Sequence, residues 1–264
     1  MRNKLVIYMT LLIVFSFPFS SDAKDSKSNE ENKLEIPNYV LTISKENTYP
    51  NSTEDEVTLE PSEFVEEMIN ESDIPIDNPD LIKMLNETTI KTSPFALGYR
   101  GSIFLGHWPL NYKSDETNVN WEYQKINTNE MNNISGDAQK TMSYNQLGKS
   151  DVKGALTAKI DRPDQIKKMM LLEAKKNIAL PLSFHTIFGK DTKKANTYAV
   201  PVKKIGYLNA FAPALSEKGE VTFGEVYIEL KGSKKKIVVK NVTKQGIGAW
   251  IPIQDHVSFS FELK

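Results

Sequence analysis

The last third of the chain constrains the fold most. Strand-like runs rich in β-branched and aromatic residues follow one another at Leu182–Phe188, Tyr198–Lys203, Ile205–Phe211, Val221–Leu230, Ile237–Val242 and Val257–Leu263. The gaps between them are too short for crossover helices, so neighbouring strands are expected to pair antiparallel. No strand–helix alternation is sustained, which argues against a doubly wound parallel sheet. Further upstream, Tyr99–Leu105 and Trp121–Ile126 also read as strands, set apart by turns rich in Gly, Asn and Asp.

One segment is specific enough to give a register. In FGEVYIELKGSKKKIVVK, Phe223–Lys240, a two-residue loop at Gly232-Ser233 sets Lys231 opposite Lys234. Glu229 then faces Lys236, Tyr227 faces Val238 and Glu225 faces Lys240, while Ile228 meets Ile237 and Val226 meets Val239 on the other side. A slip of one residue would turn the aliphatic row to water. The same geometry excludes Glu225 and Glu229 as a glycosidase pair. Four residues along a strand separate them by about 13 Å, and such carboxylates stand roughly 5–9.5 Å apart.

Helices are expected at three places. In Pro61–Ile69 the residues Phe64, Val65, Met68 and Ile69 share a face. Asn78 can cap a second helix that starts at Pro79 and carries Leu81, Ile82 and Leu85. The strongest pattern is Asp161–Asn177. There Asp161 is expected to cap, Pro163 lies in the first turn, and Ile166, Met169, Met170 and Ala174 form the apolar stripe. Lys175 and Lys176 close it with the charge that suits a helix C-terminus. Together these elements predict an α+β fold: a mainly antiparallel sheet, one long amphipathic helix against it, and short N-terminal helices, as a single domain over 61–264.

The N-terminus speaks to location. Arg2 and Lys4 precede the apolar run Leu5–Phe19, and Ser21-Asp22-Ala23 supplies small residues for a cleavage after Ala23. This is the layout of a secretory signal peptide over residues 1–23, and the run is short for a membrane span. A mostly flexible acidic leader is expected over 24–60. Glu30–Asp80 holds 15 acidic residues against two lysines, in a chain whose net charge is −1. That split suggests either an acidic segment lying on a basic body or two ends facing different partners. The near-zero net charge argues against nucleic acid as a partner. With no cysteine in the chain, a disulfide-linked partner, a thiolate nucleophile and a Cys-ligated zinc are all excluded.

Motifs that carry chemistry are missing: there is no G-x-S-x-G, P-loop, H-E-x-x-H or G-x-G-x-x-G. QGIGAW, Gln245–Trp250, reads as a turn with close backbone packing. His107, His185 and His256 are the only histidines. Asp255 and His256 are adjacent, so on a strand they point to opposite faces. No cofactor or metal is implied, and no catalytic residue is assigned. Trp108, Tyr112, Trp121 and Tyr123 are candidates for stacking on sugar rings if exposed, and core residues if not. Lys234, Lys235 and Lys236 are candidates for contact with an anionic polymer, or a lysine-guarded sheet edge.

Several stretches together resemble the YfkD-like family of exported proteins from Gram-positive, spore-forming bacteria: ISKENTYPN from Ile43, LIKMLNET from Leu81, LGYRGSIFLGHWPLNY from Leu97, GEVYIELKG, and KKIVVKNVTKQGIGAWIPIQDH. The resemblance implies export and brings no catalytic role, ligand or site residue. The expected function is that of an exported, non-catalytic cell-envelope protein. Its partner is expected to be an anionic cell-wall polymer or a membrane protein. An envelope hydrolase with an unrecognised acid–base pair is the alternative, and it requires a concave pocket near the histidines. A third possibility is regulation by docking and release of the acidic segment.

Overall fold

The computed structural model describes residues 35–44, 47–49, 60–88, 100–232 and 234–264. The apolar leader, the cleavage position near Ala23, the polar stretch 24–33 and Ser233 of the hairpin loop lie outside the described residues. In chain order the elements are β1 (Val40–Thr42), β2 (Thr48–Tyr49), α1 (Glu63–Asn70), α2 (Pro79–Glu87), β3 (Arg100–Asn132), β4 (Lys140–Asn145) and β5 (Ser150–Lys153). They continue with β6 (Ala155–Leu156), α3 (Pro163–Asn177), β7 (His185–Phe188), β8 (Lys193–Val200), β9 (Ile205–Lys231), β10 (Lys234–Pro252) and β11 (His256–Leu263).

Strand β9 is the rail on which the rest is hung. One edge pairs with β3 over its whole length; the other pairs with β11 over Gly206–Phe211 and with β10 over Ala214–Lys231, all antiparallel. At ~3.3 Å per residue such a strand reaches up to about 90 Å. The sheet extends N-terminal of residue 61, because β1 pairs with β11. Two small sheets, β2-β7-β5 and β4-β8, complete the strands. The 33 residues of β3 span the 27 of β9, and the six-residue excess is absorbed at five register shifts. One more shift falls on β10 between Lys240 and Thr243. Every extra residue belongs to an outer strand, where bulges add twist and interrupt an edge that would otherwise invite pairing.

Because β9 itself carries no extra residue, its side chains alternate sides throughout. Leu208, Ala210 and Ala212 enter one apolar cluster, Leu215, Val221 and Phe223 a second, and Val226 and Ile228 a third. The parity changes twice, so the middle cluster lies on the opposite side of the sheet from the two end clusters. Helix α3 covers the middle with Ile166, Met169, Met170 and Ala174. Helices α1 and α2 cover the hairpin end with Val65, Met68, Leu81 and Leu85. The far end is closed by Met142, Tyr144, Val152, Phe188 and Val200 from the small sheets. Each fully buried aliphatic side chain contributes roughly 1.5–3 kcal/mol, so the core is three local investments along one strand.

The expected α+β architecture with one long amphipathic helix is corrected to a mostly β fold. The three helices have 8, 9 and 15 residues, against strands of 33, 27 and 19. Helix α3 buries the four residues expected of it, yet it covers only the middle of one sheet face. The cause of the error is strand merging: the runs at Ile205 and Val221 belong to one strand, as do those ending at Leu105 and starting at Trp121. Two local readings are also corrected. Arg162, not Asp161, is the N-cap of α3; its backbone is left-handed at φ 51°, and the Asp161 carboxylate accepts its N–H at 3.0 Å. QGIGAW is no turn but lies inside β10, although the close packing is real: Gly248 donates its N–H to Thr157 Oγ1 at 3.0 Å. The hairpin register from Glu225 to Lys240 is observed as expected, pair for pair.

Asn78 ties the hairpin end together. It is fully buried, and its Oδ1 accepts from the N–H groups of Asp80 and Leu81, capping α2 as expected. Its Nδ2 donates to Pro109 O of β3 at 2.7 Å and to Gln165 Oε1 of α3 at 3.2 Å. Asn78→Ala removes the cap and strands a buried carbonyl, and is expected to destabilise by about 2–3 kcal/mol. Asn78→Asp keeps the acceptor but sets a buried carboxylate oxygen against Pro109 O, and is expected to destabilise at least as much. Chemical denaturation checks this; an alanine variant within 0.5 kcal/mol of wild type, on the order of a neutral surface change, rules out the keystone role.

Candidate functional site

The hairpin that joins β9 to β10 ends in a basic tip. Lys231 faces Lys234 across the turn, and β3 begins beside them with Arg100 opposite Lys231. These three cations, with Lys235 and Lys236, line a groove of about 640 Å³ whose other walls include Glu71, Gly101, Ser102, Glu229 and Leu230. Five cations thus meet two carboxylates. Lys236 Nζ lies 3.8 Å from Glu229, and Lys235 Nζ stands 4.7 Å over the ring of Phe64 on α1. Among the described residues, Arg100, Lys231 and Lys234 make no ion pair within 4 Å. Side-chain groups of this kind present flexible donors to an anion without an enclosing cavity.

The sequence reading offered Lys234, Lys235 and Lys236 as site candidates, and the fold brings them together with three residues it did not offer as such: Arg100, Lys231 and Glu71. Lys231 was legible from the turn alone. Arg100 and Glu71 arrive through the pairing of β3 and the packing of α1, for which the local sequence holds no signal. The charge pairing within the hairpin departs from the simplest expectation. Lys240 lies 3.7 Å from Glu229, on the diagonal. Glu225 instead accepts the Tyr227 hydroxyl at 2.8 Å, and hydrogen bonds from Asn241 and Tyr227 hold its carboxyl below the usual range.

The four aromatic candidates are dispersed along the sheet. Trp108, partly buried in the hairpin-end cluster, donates Nε1–H to Leu105 O at 2.9 Å and carries the Arg162 guanidinium 4.3 Å above its ring. Tyr112 is 5% exposed in the middle cluster, against which Trp121 also packs. Tyr123 stacks on Trp250 with centroids 5.2 Å apart. They form no common surface.

The middle cluster hides a carboxylate. Glu217 is fully buried, and accepts the Tyr112 hydroxyl on Oε1 at 3.0 Å and the Thr117 hydroxyl on Oε2 at 2.6 Å. Burial, and then the Glu217 charge and hydrogen bond, push the Tyr112 phenol above its ordinary range. The tip groove does not reach this network.

The histidines do not assemble a catalytic pair. His107 stacks on Phe223, with parallel rings 5.6 Å apart. His185 Nε2 lies 2.9 Å from Asp151 Oδ1 on an exposed strand pair. His256 is buried, with Nδ1 2.9 Å from Gln254 O; a carbonyl only accepts, so this nitrogen carries the proton. Its neighbour Asp255, left-handed at φ 58°, turns away and accepts the Thr48 hydroxyl. No histidine lines the tip groove, and among the described residues no three His, Asp or Glu side chains converge as a metal ion would require.

Comparison with known proteins agrees with the resemblance read from the sequence. A family model described as YfkD-like protein matches residues 37–264. The uncharacterised protein YfkD of Bacillus subtilis (strain 168) is 50% identical over 260 residues, covering 98% of this chain and 97% of the relative. No solved structure matches.

Proposed function

The chain belongs to the YfkD-like family, and from that premise we propose that it is an exported, non-catalytic cell-envelope protein that holds an anionic polymer at its hairpin tip. The carrying observation is the convergence of Arg100, Lys231, Lys234, Lys235 and Lys236 on one groove. The apolar leader at Leu5–Phe19 supports export. An open, lysine-rich groove on a bulged sheet suits an extended polyanion, whose charges repeat along the chain and need no enclosing pocket.

The test is binding of the mature chain to long-chain polyphosphate across a salt series. Affinity is expected to fall about tenfold between roughly 0.05 and 0.2 M salt, because exposed charges are screened over that range. The triple variant Lys234→Ala, Lys235→Ala, Lys236→Ala is expected to bind at least ~10-fold more weakly, on the scale of about 1.4 kcal/mol per decade. Binding that ignores both salt and the three substitutions would remove the proposal. For the export half, the natural protein is expected to begin at Lys24 by mass spectrometry; a cytosolic chain that keeps Met1 would overturn it.

A further inference from the structure

The hairpin end has a second side. Val226 and Ile228 of β9 turn toward α1 and α2, so Tyr227 between them faces the other way. Across the sheet it is flanked by Phe104 of β3 and Val238 of β10. Phe104 is 56% exposed, and its ring centroid lies 5.0 Å from that of Tyr227 at an interplanar angle of 39°. Lys240 Nζ stands 4.6 Å from the Tyr227 ring centroid. The cross-strand rows on either side are polar: Ser102, Glu229 and Lys236 on one, His107, Glu225 and Lys240 on the other.

A cross-strand aromatic pair stabilises a sheet by roughly 0.2–1 kcal/mol, but that role favours a covered ring, and Phe104 is open. An apolar shelf framed by carboxylates and ammonium groups matches one ligand chemistry well. A pyranose ring offers a face of C–H groups to the aromatic surface and hydroxyls at its rim to the polar rows. The rim carries both signs, with Lys236 and Lys240 each within 3.8 Å of Glu229, so it admits a ring that bears a carboxylate. The cations of the tip lie four residues further along β9, about 13 Å away, so one polymer can lay rings on the shelf and anionic groups at the tip.

We propose that Phe104 and Tyr227 form a sugar-binding shelf, and that the polymer is therefore an acidic polysaccharide. This rests on the reading of the tip as a polyanion site. The test compares polygalacturonate, an acidic pyranose polymer, with long-chain polyphosphate, which has charge and no rings, on the full mature chain by isothermal titration calorimetry. Wild type is expected to bind polygalacturonate about tenfold more tightly per charge. Phe104→Ala is expected to abolish that margin and leave polyphosphate affinity unchanged, whereas the triple lysine variant weakens both. Equal affinity of wild type and Phe104→Ala for polygalacturonate, with polyphosphate still bound, overturns the shelf and leaves the tip reading intact. No binding of either polymer overturns both. Should Phe104→Ala not fold, Phe104→Trp decides the matter: its emission is expected to shift on adding polygalacturonate and not polyphosphate, and an unchanged emission with both overturns the shelf.

Discussion

Gly219→Ala is expected to destabilise the protein by about 4 kcal/mol, near the upper limit of single substitutions. Gly219 lies in the middle of β9, beneath the Tyr112 side chain. A Cβ there would come within 2.1 Å of Lys113 O, 2.6 Å of Tyr112 Oη and 2.7 Å of Tyr112 Cζ. None of these atoms can step aside. Lys113 O belongs to the paired strand β3, and Tyr112 is pinned by its hydrogen bond to buried Glu217. Gly246 of β10 is the control. The nearest atom to its Cβ would be 4.0 Å away, so Gly246→Ala is expected to be neutral or to stabilise by about 0.4–1 kcal/mol through loss of chain entropy in the unfolded state. Urea midpoints at unchanged slope read both changes. Equal midpoints for the two variants would show that Tyr112 does not lie over position 219.

Alkaline pH is expected to unfold the protein through its buried phenols. Tyr112 and Tyr144 are 5% and 1% exposed. Burial raises the pKa of both, and Glu217 adds to the effect at Tyr112. The folded state therefore keeps both protons after the unfolded chain has released them near pH 10. A raised folded pKa contributes stability that is complete below the unfolded value and is lost as pH climbs toward the folded one. Each tyrosine removes about 1.4 kcal/mol per pH unit above pH 10, and the two together about 3. Tyr112→Phe is expected to lower stability at pH 7 by about 1–3 kcal/mol, since Glu217 keeps only Thr117 as a donor. It is also expected to make the decline above pH 10 shallower by about 1.4 kcal/mol per unit. Denaturation curves at pH 9, 10 and 11 measure this, and parallel declines for wild type and variant would contradict it.

Both results bear on why strands read as separate prove to be joined. Gly219 and the glycines of QGIGAW look like punctuation in the sequence, while Gly224 lies within an expected strand. In the structure Gly219 makes room for Tyr112, and a Cβ on Gly224 would stand 2.4 Å from Val239 Cγ1. Their function is to admit a neighbour from another strand, and a residue that serves a contact 105 positions away, as Tyr112 and Glu217 are, leaves no trace in its own window. The same blindness hid the burial of Glu217, which reads as a surface residue within the polar stretch Ser216–Glu220. Asp161 failed as a cap for a nearer reason, since Arg162 takes the left-handed conformation that starts α3 one residue later.

The tip groove was half legible. Lys234, Lys235 and Lys236 stand out in any reading, and the two-residue turn places Lys231 with them. Arg100, Glu71 and the shelf residue Phe104 required knowing which strand pairs with the outer edge of β9 and which helix packs on its inner side.

By itself the sequence determined the hairpin register from Glu225 to Lys240, the antiparallel sense of the strands, the buried stripes of α2 and α3, and the family. The first three depend on alternation or spacing within some twenty residues, where backbone periodicity converts order into direction, and the family was read from resemblance along most of the chain. Only the tertiary structure decided that β9 is one strand with its core on alternating sides, and that cations from β3 and the hairpin share a groove. Those facts belong to pairings between segments 73 to 131 residues apart, and the bulges that permit them are set by what must be covered on each face.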